Sequence, residues 1–241
     1  MKNSMLKIIA LLFIATIFSS CTLDMFNKVN GNRNVITQVR KTSDAFSGVK
    51  VSTGLNLIIT QGQKNKVKVE ADENLHDIII TEVEDGILRV YSEKNIWRAK
   101  AKKVYVTVKD LTLLKAISGS DVSGKGTMKS DEITITASSG ASIRVVVAAQ
   151  SVVTKSSSGA QIRIEGTTEG HTSSASSGSS IDAFQLISKS AIAKVSSGAA
   201  VDIYASEKID AKASSGGSVN FKGNPQSVAE NESSGGSVSA R

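Results

Sequence analysis

Hydrolases often present their nucleophile as a serine beside a glycine, and besides Ser47-Gly48 and Ser123-Gly124 this sequence places Ser before Gly at seven regularly spaced sites. They are Ser118-Gly119, Ser139-Gly140, Ser158-Gly159, Ser177-Gly178, Ser197-Gly198, Ser215-Gly216 and Ser234-Gly235. Catalysis needs one such serine, in a strained elbow and paired with a base. Seven copies argue for a structural corner instead, and no catalytic residue is assigned. The only histidines, His76 and His171, are far apart, with no cysteine nearby and no H-E-x-x-H, so no metal site is expected. His171 falls at a strand position and reads as a packing residue. Nor is there a G-x-x-x-x-G-K-[ST] loop to cradle phosphates, so no cofactor is expected. Calcium-binding β-roll repeats have a shorter period, about nine residues, with Asp in each copy. Here only Asp121, Asp182 and Asp202 come near that pattern.

Two charged groups remain. Trp97, the sole tryptophan, stands with Arg98, Lys100, Lys102 and Lys103 in a basic stretch that could contact an anionic glycan or a phospholipid headgroup. The plainer reading is an exposed turn with Trp97 covering the end of a core. Arg144, Arg163, Asp182 and Asp202 occupy equivalent places in successive repeats and read as cross-coil ion pairs on a solvated face. An extracellular β-helix can also be a lyase or glycosidase, which would need carboxylates converging on one face.

The first residues carry the most specific local signal. Lys2 and Lys7 precede the apolar run Ile8–Phe18, which has the length of a signal-peptide core and is short for a membrane span. Phe18-Ser19-Ser20-Cys21 resembles a bacterial lipobox, with Phe where Leu is usual. Cys21, the only cysteine, is thus the expected lipidation site and membrane attachment point, and no internal disulfide is available. Removing residues 1–20 takes the net charge from +7 to +5 by deleting two lysines. That excess is scattered and comes with no nucleic-acid-binding motif, so no nucleic-acid partner is expected. Thr22 after the cysteine, in place of Asp, resembles lipoproteins sent to an outer membrane.

The elements that position these groups read as strands. Residues 22–42 are polar and patternless, a tether. From Phe46 onward short alternating apolar segments are separated by Gly54, Gln61-Gly62-Gln63, Asp72-Glu73-Asn74 and Asp85-Gly86, as in strands joined by tight turns. From residue 118 the glycines recur every 18–21 residues, which implies a solenoid. Three residues after each glycine stands Val122, Ile143, Ile162, Ile181, Val201, Val219 or Val238, and the position after that is polar. This is a strand with one face inward. The corner needs glycine for its positive φ, and the serines are expected to bond the corner backbone and their counterparts in adjacent coils. Each repeat is then strand, corner, strand, loop, and stacked repeats form a parallel β-helix, right-handed as such crossovers are. Pro225, the only proline, with Glu230 and Glu232 at inward positions, suggests a terminal cap from about residue 224.

The spacing Phe46-x-x-Val49-x-Val51-x-x-Gly54-Leu55-x-Leu57-x-Ile59-x-Gln61-Gly62, then Leu88-x-Val90, Val104-x-Val106-x-Val108-x-x-Leu111 and the S-S-G units resembles the putative auto-transporter adhesin, head GIN domain family of Bacteroidetes lipoproteins. The resemblance covers about residues 43–235 and implies a right-handed β-helical fold in the cell envelope. The expectation is an all-β chain: leader 1–20, tether 21–42, a β region 43–117, and a solenoid 118–241 with about 19–20 residues per coil. Its expected role is a non-enzymatic, envelope-anchored binding or adhesin-like module for a glycan or protein. The alternatives are a polysaccharide-processing enzyme and a structural or signalling envelope component.

Overall fold

The computed structural model describes residues 28–42 and 45–241. The leader, Cys21 and the first part of the expected tether lie outside the described residues. Within them are nineteen strands and a single 3-10 turn at Glu73–Leu75. The first ten strands are short: β1 (Lys28–Asn30), β2 (Val35–Arg40), β3 (Gly48–Val51), β4 (Asn56–Gln61), β5 (Lys66–Asp72), β6 (Ile79–Glu84), β7 (Ile87–Ser92), β8 (Asn95–Arg98), β9 (Lys102–Val108) and β10 (Leu113–Ala116). Four long ones follow, β11 (Asp121–Ala137), β12 (Ser142–Ser156), β13 (Gln161–Ala175) and β14 (Ser180–Val195). The chain ends in β15 (Ala200–Tyr204), β16 (Lys208–Ala213), β17 (Ser218–Lys222), β18 (Ser227–Glu232) and β19 (Ser237–Ala240).

The repeats stack as a parallel β-solenoid with the corner glycines in register, as expected. Successive coils pair in parallel both after the corner (β11 on β12, β12 on β13, β13 on β14, β14 on β15, β15 on β17, β17 on β19) and before it (β14 on β16, β16 on β18). The inward column after the corner is unbroken: Val104, Leu57, Val122, Ile143, Ile162, Ile181, Val201, Val219 and Val238 are cross-strand neighbours in that order. All but Val238 are buried. Burying each such side chain is worth roughly 1.5–3 kcal/mol, so this column is a major part of the core.

Both ladders continue back past residue 118. β10 pairs in parallel with β3 and β3 with β7, while β11 pairs with β4 and β4 with β9. Antiparallel strands close this end: β5 lies on β9, β2 on β5, and β6 forms a hairpin with β7 through Asp85-Gly86. Residues 28–30 and 35–40, read from sequence as tether, are strands β1 and β2. Each is short and finds its partner, β8 or β5, far along the chain, a pairing that no local pattern announces.

The corner itself corrects a detail. Glycine is not alone in the left-handed region: Ser139 (φ 52°) precedes Gly140 (φ 70°), and Ser118, Ser158, Ser177, Ser197, Ser215 and Ser234 behave alike. Two successive positive φ values, closed by a bond from Ala141 N–H to the Ser138 carbonyl (3.2 Å), give the turn its primed form. A left-handed serine costs about 1–2 kcal/mol. Its carbonyl is thereby aimed at the neighbouring coil. Gly119 N–H donates to Ser139 O (3.0 Å), Gly140 to Ser158 (3.0 Å), Gly159 to Ser177 (3.1 Å), and so on to Gly216 and Ser234 (3.2 Å). The serines before the glycine tie the corner with carbonyls rather than with the hydroxyls that the sequence suggested, while hydroxyls after it, on Ser120 and Ser179, donate to the Ile117 and Ser176 carbonyls (both 2.8 Å).

The loop expected opposite the corner is absent from the middle coils, where β11 to β14 bend around without a break. Register slips between Ser123 and Thr127, and between Arg163 and Glu165, take up the differences in coil length there. At Gly166 (φ 119°) the backbone approaches the coil before it, and a Cβ would lie 1.9 Å from the Val147 carbonyl oxygen. At Gly159 a Cβ would meet nothing within 4 Å. The two substitutions therefore separate strain from collision. In urea unfolding, Gly159→Ala should cost about 1 kcal/mol, the left-handed penalty alone. Gly166→Ala should cost about 3 kcal/mol or more, because the backbone must move.

Candidate functional site

Each residue singled out in the sequence now has a place, and the charged ones separate into three surfaces. The corner glycines form one edge of the solenoid, exposed together with the second serine of each turn. This edge carries no paired base. His171 is buried inside the pre-corner sheet, where it neighbours Val152 and Ala191 in register. Thr154 Oγ1 donates to Ser173 Oγ (3.1 Å) and lies 2.9 Å from His171 Nε2. The other ring nitrogen, Nδ1, has no hydrogen-bond partner. Burial pushes the His171 pKa down to about 4. It is a packing residue, as its strand position suggested. His76 is buried in the closing antiparallel region, its Nε2 3.3 Å from the Ile36 and Ala71 carbonyls. Among the described residues no His/Cys/Asp/Glu group could hold a metal ion.

The basic stretch around Trp97 lies at the closed end. Trp97 is 57% exposed on β8, and the Lys28 ammonium sits 3.9 Å from its ring centroid, a cation–π contact from β1. Arg98 and Lys100 border a small cleft of about 290 Å³ together with Arg33. Lys102 and Lys103 point elsewhere, Lys102 towards Gly54 and Lys103 into an ion pair with Glu70 (3.4 Å). The five residues read together in the sequence therefore divide between two surfaces. Beneath them Asp72, fully buried, accepts from the backbone N–H groups of Arg33, Lys100 and Ala101 at 2.9–3.1 Å. Burial alone would raise its pKa, but the donors from Ala101, Lys100 and Arg33, with the Lys100 charge, outweigh it and hold the carboxyl below its ordinary value.

The outward row after the corner behaves as its sequence predicts. Arg144 neighbours Arg163, Arg163 pairs with Asp182 (2.9 Å), and Asp202 accepts from Asn220 Nδ2 (2.7 Å). Cations and anions balance along this face.

The outward row before the corner does not balance, and sequence reading missed it. Running through the coils in register it reads Arg89, Lys50, Lys115, Thr136, Lys155, Ser174, Lys194, Lys212 and Asn231. Arg89 is paired with Glu82 and Glu84, and Lys212 approaches Asp210 (3.7 Å). Lys50, Lys115, Lys155 and Lys194 have no ion-pair partner among the described residues. At about 4.8 Å per strand the row is roughly 38 Å long. Its later part, from Thr136 to Asn231, borders an open groove of about 550 Å³, walled on the other side by the first serine of each turn, Ser157, Ser176, Ser196, Ser214 and Ser233. Every fourth residue before a corner glycine was the signal that could have revealed it.

A groove along a stack of coils, rather than a deep cleft with converging acids, defines this molecule as a solenoid whose regular surface is available for contact. Residues 45–225 match the family described as putative auto-transporter adhesin, head GIN domain, and the chain belongs to that family. A comparison with curated proteins finds no match. Among solved structures, a putative adhesin from Bacteroides fragilis is similar, with TM-score 0.82 and 20% identity over 88% of this chain and 100% of that one. A putative lipid binding protein from Parabacteroides distasonis (TM-score 0.71, 19% identity, 89% and 99% covered) and a putative adhesin from Parabacteroides merdae (0.66, 18%, 89% and 99%) share the fold.

The buried histidine makes stability depend on pH. Free imidazole titrates near 6.5 and His171 near 4, so between these values the unfolded chain binds a proton that the folded chain refuses. Stability is full above pH 6.5 and declines as pH falls towards 4, by about 3 kcal/mol in all. His171→Val, which continues the Val152 column, should remove most of this decline when urea midpoints are compared at pH 7 and pH 4.5.

Proposed function

We propose that this chain is a non-enzymatic binding module of the cell envelope, anchored through a lipid on Cys21 and using the long outward surfaces of the solenoid for contact. The observation that carries the reading is the pre-corner face. It offers repeated, equally spaced polar groups along a groove open over several coils, which suits many weak contacts to an extended partner. The groove has no carboxylate among its lining residues, so the acid pair of a glycosidase is not placed there. Membership of an adhesin-type family supports the same reading. The leader-like run Ile8–Phe18 and the lipobox-like Phe18–Cys21 support the anchor and an outer-membrane location. Protease shaving of intact cells tests it: the wild-type chain should be membrane-bound and cleaved from outside, and Cys21→Ala should appear in the soluble fraction. Full protection of the wild type would overturn the outward-facing module and favour a periplasmic role.

A second reading rests on the Trp97 end. Lys28 over Trp97, with Arg33, Arg98 and Lys100 nearby, is an aromatic-and-cation surface of the kind that rests on phospholipid headgroups. One structural relative is described as a lipid binding protein. Because Trp97 is the only tryptophan, its fluorescence reports this contact alone. Vesicles containing phosphatidylglycerol should shift its emission to shorter wavelength, and Arg98→Gln with Lys100→Gln should weaken the shift. An unchanged spectrum would remove this reading.

A further inference from the structure

The pre-corner row has a property that stability does not explain. Lys50 and Lys115 are direct cross-strand neighbours, and so are Lys194 and Lys212. Like charges in that relation repel, costing up to about 1 kcal/mol per pair in water. On the post-corner face the like pairs Arg144–Arg163 and Asp182–Asp202 sum to zero charge and are joined by the Arg163–Asp182 ion pair. On the lysine face the positions between cations are instead filled by Thr136 and Ser174, small and uncharged. The groove beside them adds hydroxyls: among the described residues no hydrogen bond engages the Oγ atoms of Ser157, Ser176, Ser196, Ser214 or Ser233. Unpaired ammonium groups and unengaged hydroxyls thus run side by side along the stack.

Resting on the reading of the chain as a binding module, we propose that this groove binds a linear acidic polysaccharide laid along the solenoid axis. Its carboxylates or sulfates meet the ammonium groups of Lys155 and Lys194 in the groove and, where the polymer runs on past it along the same row, those of Lys115 and Lys50. Its sugar hydroxyls meet the first serines of the turns. Three features select this occupant. The cations repeat along a straight line, which matches an extended polyanion and not a single headgroup. The wall is hydroxyl-rich, which suits a partner that is itself polyhydroxylated. The groove contains no aromatic side chain, so the bases of a single-stranded nucleic acid would have no stacking platform. Neutral glycans, which depend on aromatic platforms, are disfavoured on the same ground.

The test is titration of the full-length chain in non-ionic detergent with polygalacturonate, neutral dextran, single-stranded DNA and phosphatidylglycerol vesicles, at low and at physiological salt. Polygalacturonate should bind and weaken as salt rises, and dextran should not bind. Lys155→Gln with Lys194→Gln should lower the polygalacturonate affinity about tenfold and make its salt dependence shallower. Both lysines are exposed, so the thermal midpoint of the variant should match the parent and show that the fold is intact. Lys125→Gln with Arg144→Gln removes the same charge from the opposite face and should change affinity far less. Equal losses in the two variants would overturn the site, because net charge alone would then account for binding. A stronger interaction with DNA or with vesicles, lost in the Lys155/Lys194 variant, would overturn the glycan and assign a different polyanion. No binding of polygalacturonate, while shaved cells still release the chain, would overturn the ligand but leave the binding module standing.

Discussion

The rest of the structure depends on one backbone contact, the hydrogen bond from each corner glycine to the serine carbonyl of the following coil. A parallel sheet does not fix its own register when its rows are similar, and a slip of one residue would turn every inward side chain outward. The corner prevents that slip by tying the stack at one edge, once per coil, with bonds of 3.0–3.2 Å from Gly119 to Gly216. The left-handed serine is the cost of aiming its carbonyl along the axis. Given that register, the Val/Ile column falls inside and the lysine row falls on a line outside without further instruction.

The same register explains why the two outward faces differ so much in character. Each is a set of side chains brought within about 5 Å of its copies above and below, so a charge placed once is a charge placed beside its neighbours. On the post-corner face two arginines are followed by two aspartates, and the signs meet in the Arg163–Asp182 pair. On the pre-corner face the row carries one sign, diluted by Thr136 and Ser174, and acids meet it only at Arg89 and Lys212. Packing determines where these side chains stand, and nothing in the packing determines their sign.

Much of the fold was legible in the sequence because one physical requirement repeats. A β-branched residue three places after glycine, seven times, can only be an inward column, and Ile143, Ile162 and Ile181 are neighbours as that pattern requires. The hairpin at Asp85-Gly86 announced itself through its turn residues. Other features were hidden for identifiable reasons. β1 and β2 gain their stability from β8 and β5, so their own residues carry little signal. Serine is not a residue that favours positive φ, and its conformation at Ser139 is imposed by the bond its carbonyl makes to Gly119. The lysine row escaped because its members stand about one coil apart, with polar residues at every second place. The basic stretch around Trp97 drew attention because its residues are contiguous, yet it spans the end of β8, a connecting loop and the start of β9, and the structure divides them.

The bend opposite the corner has a different kind of consequence. Slips at Ser123–Thr127 and Arg163–Glu165, and breaks in the strand after Tyr204 and Lys222, all occur on that side and leave the corner ladder intact. The coil therefore has one edge that counts residues strictly and one that does not. A loop inserted at the far bend would change neither the inward column nor the spacing of the lysines, whereas a single residue added near Ser139 would displace both. Novelty in such a chain can accumulate along only one of its two edges, and whole coils can be gained or lost as interchangeable units.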